Sequence, residues 1–258
     1  MERKILLLCS LVLAFAAPVA HAQAQAAPAA TNKSTANPID PASIQALKDM
    51  GAYLQTLKRF RVQNELTAER VLADGQKLQH SATADIEVAR PNKLRVVMVT
   101  PQSERELFYD GKMVTLFRPV EKYYSSAEFT DTLGGLATRL QEKFGVELPL
   151  ADLFLWGTPA APLDKIESAM NAGQAFVGND LCDHYAFREG TIDWQIWITA
   201  GSKPLPRKIV IANRSDEARP QSVSVIKWNL NQSFPDSVFT FTPPAGSAKI
   251  EMVPVKAK

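Results

Sequence analysis

Cysteine is almost missing from this chain: Cys9 and Cys182 are the only two in 258 residues. The export processing argued below removes Cys9, and the one remaining thiol cannot form an intramolecular disulfide. A lone thiol in an oxidising compartment is expected to be buried. Histidine is also sparse, with three in all, so a metal site has few imidazole ligands to draw on. Neither a glycine-rich phosphate loop nor a Gly-x-Ser-x-Gly elbow occurs, which removes two familiar signatures of nucleotide binding and serine hydrolysis. Charge of one sign is lacking too. The 29 basic residues face 27 acidic ones, and without Arg3, Lys4 and Glu2 the balance is 27 minus 26, or +1. That is no polyelectrolyte footprint, and no nucleic-acid partner is expected.

What is present begins with the three-part pattern of a secretory signal. Arg3 and Lys4 form a positive start, an apolar stretch runs from Ile5 to Val19, and Ala20-His21-Ala22 offers small residues for cleavage before Gln23. The stretch is shorter than the roughly 20 residues that span a bilayer. Cys9 precedes most of that stretch, the wrong place for a lipid-modified cysteine. Residues 1–22 are therefore expected to be a signal peptide, and the mature protein to be periplasmic and not membrane-spanning. Residues 23–42, rich in Ala and Pro, are expected to form a flexible tether that buries too little to offset its ordering entropy. Residues 43–258 suit one domain with a sizeable core.

Ser43 to Lys58 reads as an opening helix, with Ile44, Leu47, Leu54 and Leu57 at helical spacing and Ser43 as its N-cap. The period then falls to two. Residues 60–67 mostly alternate, and Leu78, His80, Ala82, Ala84, Ile86 and Val88 share one face of a long strand. Asp74-Gly75 marks the turn between these strands. Further strands are expected at about 94–99, 104–109, 113–118 and 121–125, punctuated by Pro91-Asn92, Thr100-Pro101, Asp110-Gly111 and Pro119. Short sequential strands with tight turns indicate an antiparallel meander. Leu133, Leu136, Leu140 and Phe144 then return to helical spacing, and 164–172 reads as a further short helix. Strands resume at about 182–188, 191–199, 206–213, 221–230 and 237–242. The fold class is α+β.

Four segments carry a resemblance. Ile86 to Arg95, with its Arg90-Pro91-Asn92 corner, looks like a strand corner of the periplasmic lipoprotein carriers of the LolA type. Tyr109 to Glu121 resembles that family's next hairpin, Leu205 to Ile209 its hairpin return, and Phe239 to Gly246 its C-terminal strand ending. Asp180 to Phe187 and Trp194 to Trp197 resemble instead an uncharacterised periplasmic branch of this LolA/LppX-type superfamily, whose cargo is not inherited from the carriers. The resemblance implies a LolA-like curved antiparallel sheet, an incomplete half β-barrel covered by helices. It also implies that Arg90 gates a helical lid by donating to lid carbonyls, as a rigid, permanently charged fork of donors can.

An apolar inner face of that kind suits acyl chains. The lining candidates are Val62, Leu66, Ile86, Val88, Val96, Met98, Trp194 and Ile196; the same residues would equally serve as a filled core beneath the helices. Asp180, Cys182 and His184 share a strand face, but no second cluster completes a metal or nucleophilic site, so no cofactor, metal or enzymatic activity is expected. The function these features point to is a soluble carrier or chaperone of a lipid or lipidated protein cargo. The alternative is an envelope-lipid sensor that regulates an envelope protein partner without a transport role.

Overall fold

The computed structural model describes residues 39–255. The expected signal peptide and most of the expected tether lie outside them. At its start, Ile39 bridges to Ala169 and the Asp40 amide donates to the Ala169 carbonyl at 3.0 Å.

Helix α1 spans Pro41–Thr56. Its N-cap is Asp40, not Ser43: the Asp40 carboxylate accepts from the amides of Ala42 and Ser43, each at 3.1 Å. Proline at the first helical position suits this start, because the amide it lacks would have no helical acceptor. Ser43 falls in the first turn and is fully buried.

Strands β1 (Arg59–Val71), β2 (Lys77–Ala89), β3 (Lys93–Thr100), β4 (Ser103–Tyr109), β5 (Met113–Arg118) and β6 (Tyr123–Glu128) follow as a meander. Gly75 and Gly111 take φ of 85° and 95° in the two Asp-Gly turns, a region that favours glycine. The sixth strand starts two residues later than its spacing predicts, after a turn in which Lys122 has φ 57°. Helix α2 covers Leu133–Phe144. Thr132 caps it by accepting from the Gly135 amide, and Gly145 ends it in the left-handed region with its amide on the Gln141 carbonyl.

A second meander comprises β7 (Ser168–Val177), β8 (Asp180–Glu189), β9 (Ile192–Thr199), β10 (Pro206–Asn213) and β11 (Gln221–Asn229); the two-residue β12 is Ala248–Lys249. Two expectations fail here. Residues 164–172 are not a helix; a 3-10 turn at Leu163–Lys165 leads into β7, an exposed edge strand paired with β8. Its alanines favour helix weakly, and pairing with a neighbour overrides that preference. Residues 237–242 are not a strand either. Asp236–Phe239 is a 3-10 turn, and Pro243 and Pro244 withhold the amides a ladder would need.

All strands join one sheet in the order β12-β6-β5-β4-β3-β2-β1-β11-β10-β9-β8-β7. Every pair is antiparallel except β6 with β12, and the end strands do not meet, so the half-barrel stays open. The two helices divide its inner face. Leu133, Leu136 and Leu140 of α2 pack on Phe60, Val62, Ile86, Val88 and Leu94. Leu47, Met50 and Leu54 of α1 pack on Tyr185, Phe187, Trp194 and Ile196. Tyr109, fully buried, ties α2 to the sheet: its hydroxyl donates to the Asp131 carbonyl at 2.7 Å and accepts from the Asp131 amide at 2.9 Å.

Carboxylates fasten several of these junctions, and a pH dependence follows. Hydrogen bonds from Arg139 and Arg188 hold Asp131 and Asp193, respectively, below the usual carboxylate range. Among the described residues six carboxyl groups are lowered in this way (Asp40, Glu69, Glu121, Asp131, Asp193, Asp236) and two are raised (Asp152, Glu189). A lowered carboxyl stabilises fully above its unfolded pKa, and that stability is lost as pH falls through the folded value. The raised pair acts oppositely and is outnumbered. Melting temperature is therefore expected to fall on acidification below the usual carboxylate range, and Asp131→Asn to flatten the fall. Melts followed by circular dichroism at stepped pH test this; a melting temperature that rises on acidification contradicts it.

Candidate functional site

The floor of a mainly apolar recess comes from two neighbouring cross-strand rows. Register aligns Leu66 with Ser224, Ser224 with Ile209, and Ile209 with Ile196. The next row aligns Ser222 with Ile211 and Ile211 with Trp194. All face inward because a period of two returns alternate residues to one face. Met50 of α1, Ala137 and Gln141 of α2, and the 147–153 segment complete a cavity of about 670 Å³.

Its walls are mainly apolar but include three carboxyl side chains, Glu147, Asp152 and Glu189, and two of its residues carry a buried polar atom without a partner. Asn64 is 2% exposed and its Nδ2 donates to Ser224 Oγ at 3.3 Å, while its Oδ1 has no partner. Trp194 is 8% exposed, stacked on Phe187 at 4.3 Å between centroids, and its Nε1 has no partner. An acceptor and a donor thus lie buried and unmatched in the wall, each at a cost in a dry interior. Burial, ahead of the opposing pull of Lys165, raises the Glu189 carboxyl on the same cavity.

A second cavity, of about 440 Å³, lies along β3 to β6 beneath residues 145–149. The third, of about 710 Å³, lies where the α1 C-terminus, the α2 N-terminus and residues 154–160 converge on Arg90.

The eight lining candidates therefore divide. Leu66, Trp194 and Ile196 wall the first cavity, and Val96 and Met98 the second. Val62, Ile86 and Val88 wall none of the three and are packed beneath α2 at no more than 1% exposure. Sequence reasoning missed Met50, Asn64, Ile209 and Ile211. The alternation in 206–213 was signal enough for the two isoleucines, and the Leu47–Met50–Leu54 spacing for the methionine. Asn64 carried no such signal.

Arg90 lies at the corner after β2, where its amide donates to the Lys58 carbonyl at 2.9 Å and the Pro91 carbonyl accepts from Leu133 at 3.3 Å. Its Nε and Nη2 are buried and donate to nothing. Burial lowers its pKa.

Cys182 and His184 sit on the opposite, outer face. Cys182 is fully buried with Val177, Trp197 and Val210, and burial pushes its thiol up, away from a reactive thiolate. His184 stacks on Trp197 at 4.0 Å and is hydrogen-bonded to Gln195 at 2.9 Å. Among the described residues no group of three or more His, Cys, Asp and Glu could hold a metal, and no helix is long and apolar enough to cross a membrane.

Fold and cavities together define an open antiparallel half-barrel with a helix-covered inner face. The chain belongs to the family described as "Predicted periplasmic protein (DUF2092)", whose profile matches residues 43–253. That description agrees with the periplasmic branch its sequence resembles. Among curated proteins, none matches. Similar solved structures include LprF from Mycobacterium bovis, 11% identical, covering 77% of this chain and 98% of that one at a TM-score of 0.44. MucB, solved in complex with MucA(peri), is 10% identical over 78% of this chain at 0.44, and the chain spans 60% of MucB. A LolA superfamily protein from Nitrosomonas europaea is 12% identical, covering 77% of this chain and 97% of that one at 0.37.

Proposed function

We propose that this protein is a soluble periplasmic binding protein, without enzymatic activity, that carries an amphiphilic lipid or lipidated cargo in the cavity floored by Leu66, Ile196, Ile209, Ile211 and Trp194. The observation that carries this reading is a mainly apolar cavity of about 670 Å³ with an unmatched acceptor on Asn64 and an unmatched donor on Trp194. Its volume falls within the range of about 300–1,000 Å³ that suits small ligands. Pure hydrocarbon would leave both polar atoms unmatched, whereas a ligand with an ester, amide or hydroxyl could meet them after a rearrangement of the side chains that exposes them to the cavity.

Chain length follows from magnitudes. Each methylene moved out of water contributes about 0.8 kcal/mol, so eight contribute about 6 and sixteen about 13 kcal/mol. Association costs about 4–15 kcal/mol in lost freedom. The longer chain offsets more of that cost, so a long acyl chain is the favoured cargo. Mass spectrometry of organic extracts from protein secreted to the periplasm and purified without detergent tests the reading. A stoichiometric amphiphile, absent from a control periplasmic protein, is expected. A well-folded but empty protein would shift the weight to envelope-lipid sensing through a protein partner.

A further inference from the structure

The cavity at Arg90 is a different kind of site from the apolar one. Arg90, on the wall of this cavity, has two buried guanidinium nitrogens with no acceptor, and no carboxylate offsets its charge. Asp131, the only carboxylate on the wall of this cavity, is bound to Arg139 and to the Thr132 amide. Lys58, also on the wall, forms no ion pair among the described residues. Three cations against one anion leave the lining at +2. A buried, unpaired cation is costly unless a counter-charge arrives. The space to admit one is there, about 710 Å³ open to solvent between the two helices.

We propose that this cavity binds a phosphate group, with Arg90 as the principal donor and Lys58 as its partner. A phosphate group carries a charge of about −1.5 to −2 at neutral pH, close to what the lining lacks. The guanidinium fork matches two phosphate oxygens at once. The group is either inorganic phosphate or the head of a phosphorylated lipid. The site stands apart from the apolar cavity and does not require that cavity to be a container.

The test uses the secreted chain, purified in phosphate-free buffer, with inorganic phosphate, hexadecyl phosphate and hexadecanol as probes for calorimetry and thermal melts. Arg90→Met and Arg90→Gln are compared with wild type. Hexadecyl phosphate is expected to bind wild type at least about tenfold more tightly than either variant, the worth of a charged hydrogen bond. If inorganic phosphate alone shows the same Arg90 dependence, the source is the free anion; if only the hexadecyl ester does, it is a lipid head. Ligand-free Arg90→Met is expected to melt no lower than wild type, because it removes an unpaired buried charge. Equal phosphate binding by wild type and both variants overturns the proposal. So does a lower-melting Arg90→Met combined with a wild type that ignores both phosphate probes, which would make Arg90 a structural tie between corner and helices. Hexadecanol reports separately on the apolar cavity: its failure to bind wild type counts against the container alone.

Discussion

Gly51→Ala is expected to lower the melting temperature by about 6–12 °C, the equivalent of about 3 kcal/mol of overpacking in a domain of this size. Helix propensity alone gives the opposite sign, since alanine in a helix interior is favoured over glycine by about 1 kcal/mol. The structure decides between them. A Cβ on Gly51 would stand 2.4 Å from the Gly157 nitrogen and 2.9 Å from its Cα, and backbone atoms cannot rotate away. The contact is reciprocal: a Cβ on Gly157, where φ is +78°, would stand 2.3 Å from the Gly51 carbonyl oxygen. Helix α1 thus docks backbone to backbone on the segment that separates two cavities, with Gln55 Nε2 donating to the Trp156 carbonyl at 2.7 Å beside it. Thermal melts of the single and double alanine variants check this. A melting temperature raised by Gly51→Ala, as at a solvent-facing helical glycine, would show that the contact is not made in solution.

Leu66→Trp is expected to abolish retention of the amphiphile while leaving the fold intact. Leu66 is only partly buried and faces the cavity from β1, so an indole there enters open space. The change in stability should stay within about 1 kcal/mol, because overpacking strain arises where neighbours are already in contact. Val62→Trp is the matching control. Val62 lies four residues earlier on the same face, is 0% exposed beneath α2, and walls none of the three cavities. Its enlargement should cost about 1–3 kcal/mol. Extracts of the two variants, analysed with wild type, separate a blocked container from a weakened core. Wild-type amounts of amphiphile in Leu66→Trp would exclude this cavity as the place it is held.

These two residues also show how much was legible beforehand. Val62 and Leu66 sit in the same alternating run, and their common inward direction follows from a period of two. Nothing in the run says that one is sealed beneath a helix while the other borders empty space. The same holds for Ile86 and Val88 against Ile196. Arg90 stood out by its place in the Arg-Pro-Asn corner, but its two unmatched nitrogens became visible only once the helices and the 154–160 segment were placed around it.

Sequence alone determined the alternation of β1 to β6, the Asp-Gly turns at 74–75 and 110–111, the stripe of α2 and the antiparallel meander. Each depends on local stereochemistry: a side-chain period, a positive φ, a cap. The open, helix-covered class was implied by the family resemblance and not by these local patterns. Tertiary structure alone decided that 168–177 pairs as an edge strand, that 236–239 turns instead of extending, and which inward residues wall a cavity. Those outcomes depend on how closely α1 and α2 approach the sheet. That approach is set by contacts such as Gly51 with Gly157, between residues far apart in the chain, and no periodicity in either segment encodes the distance between them.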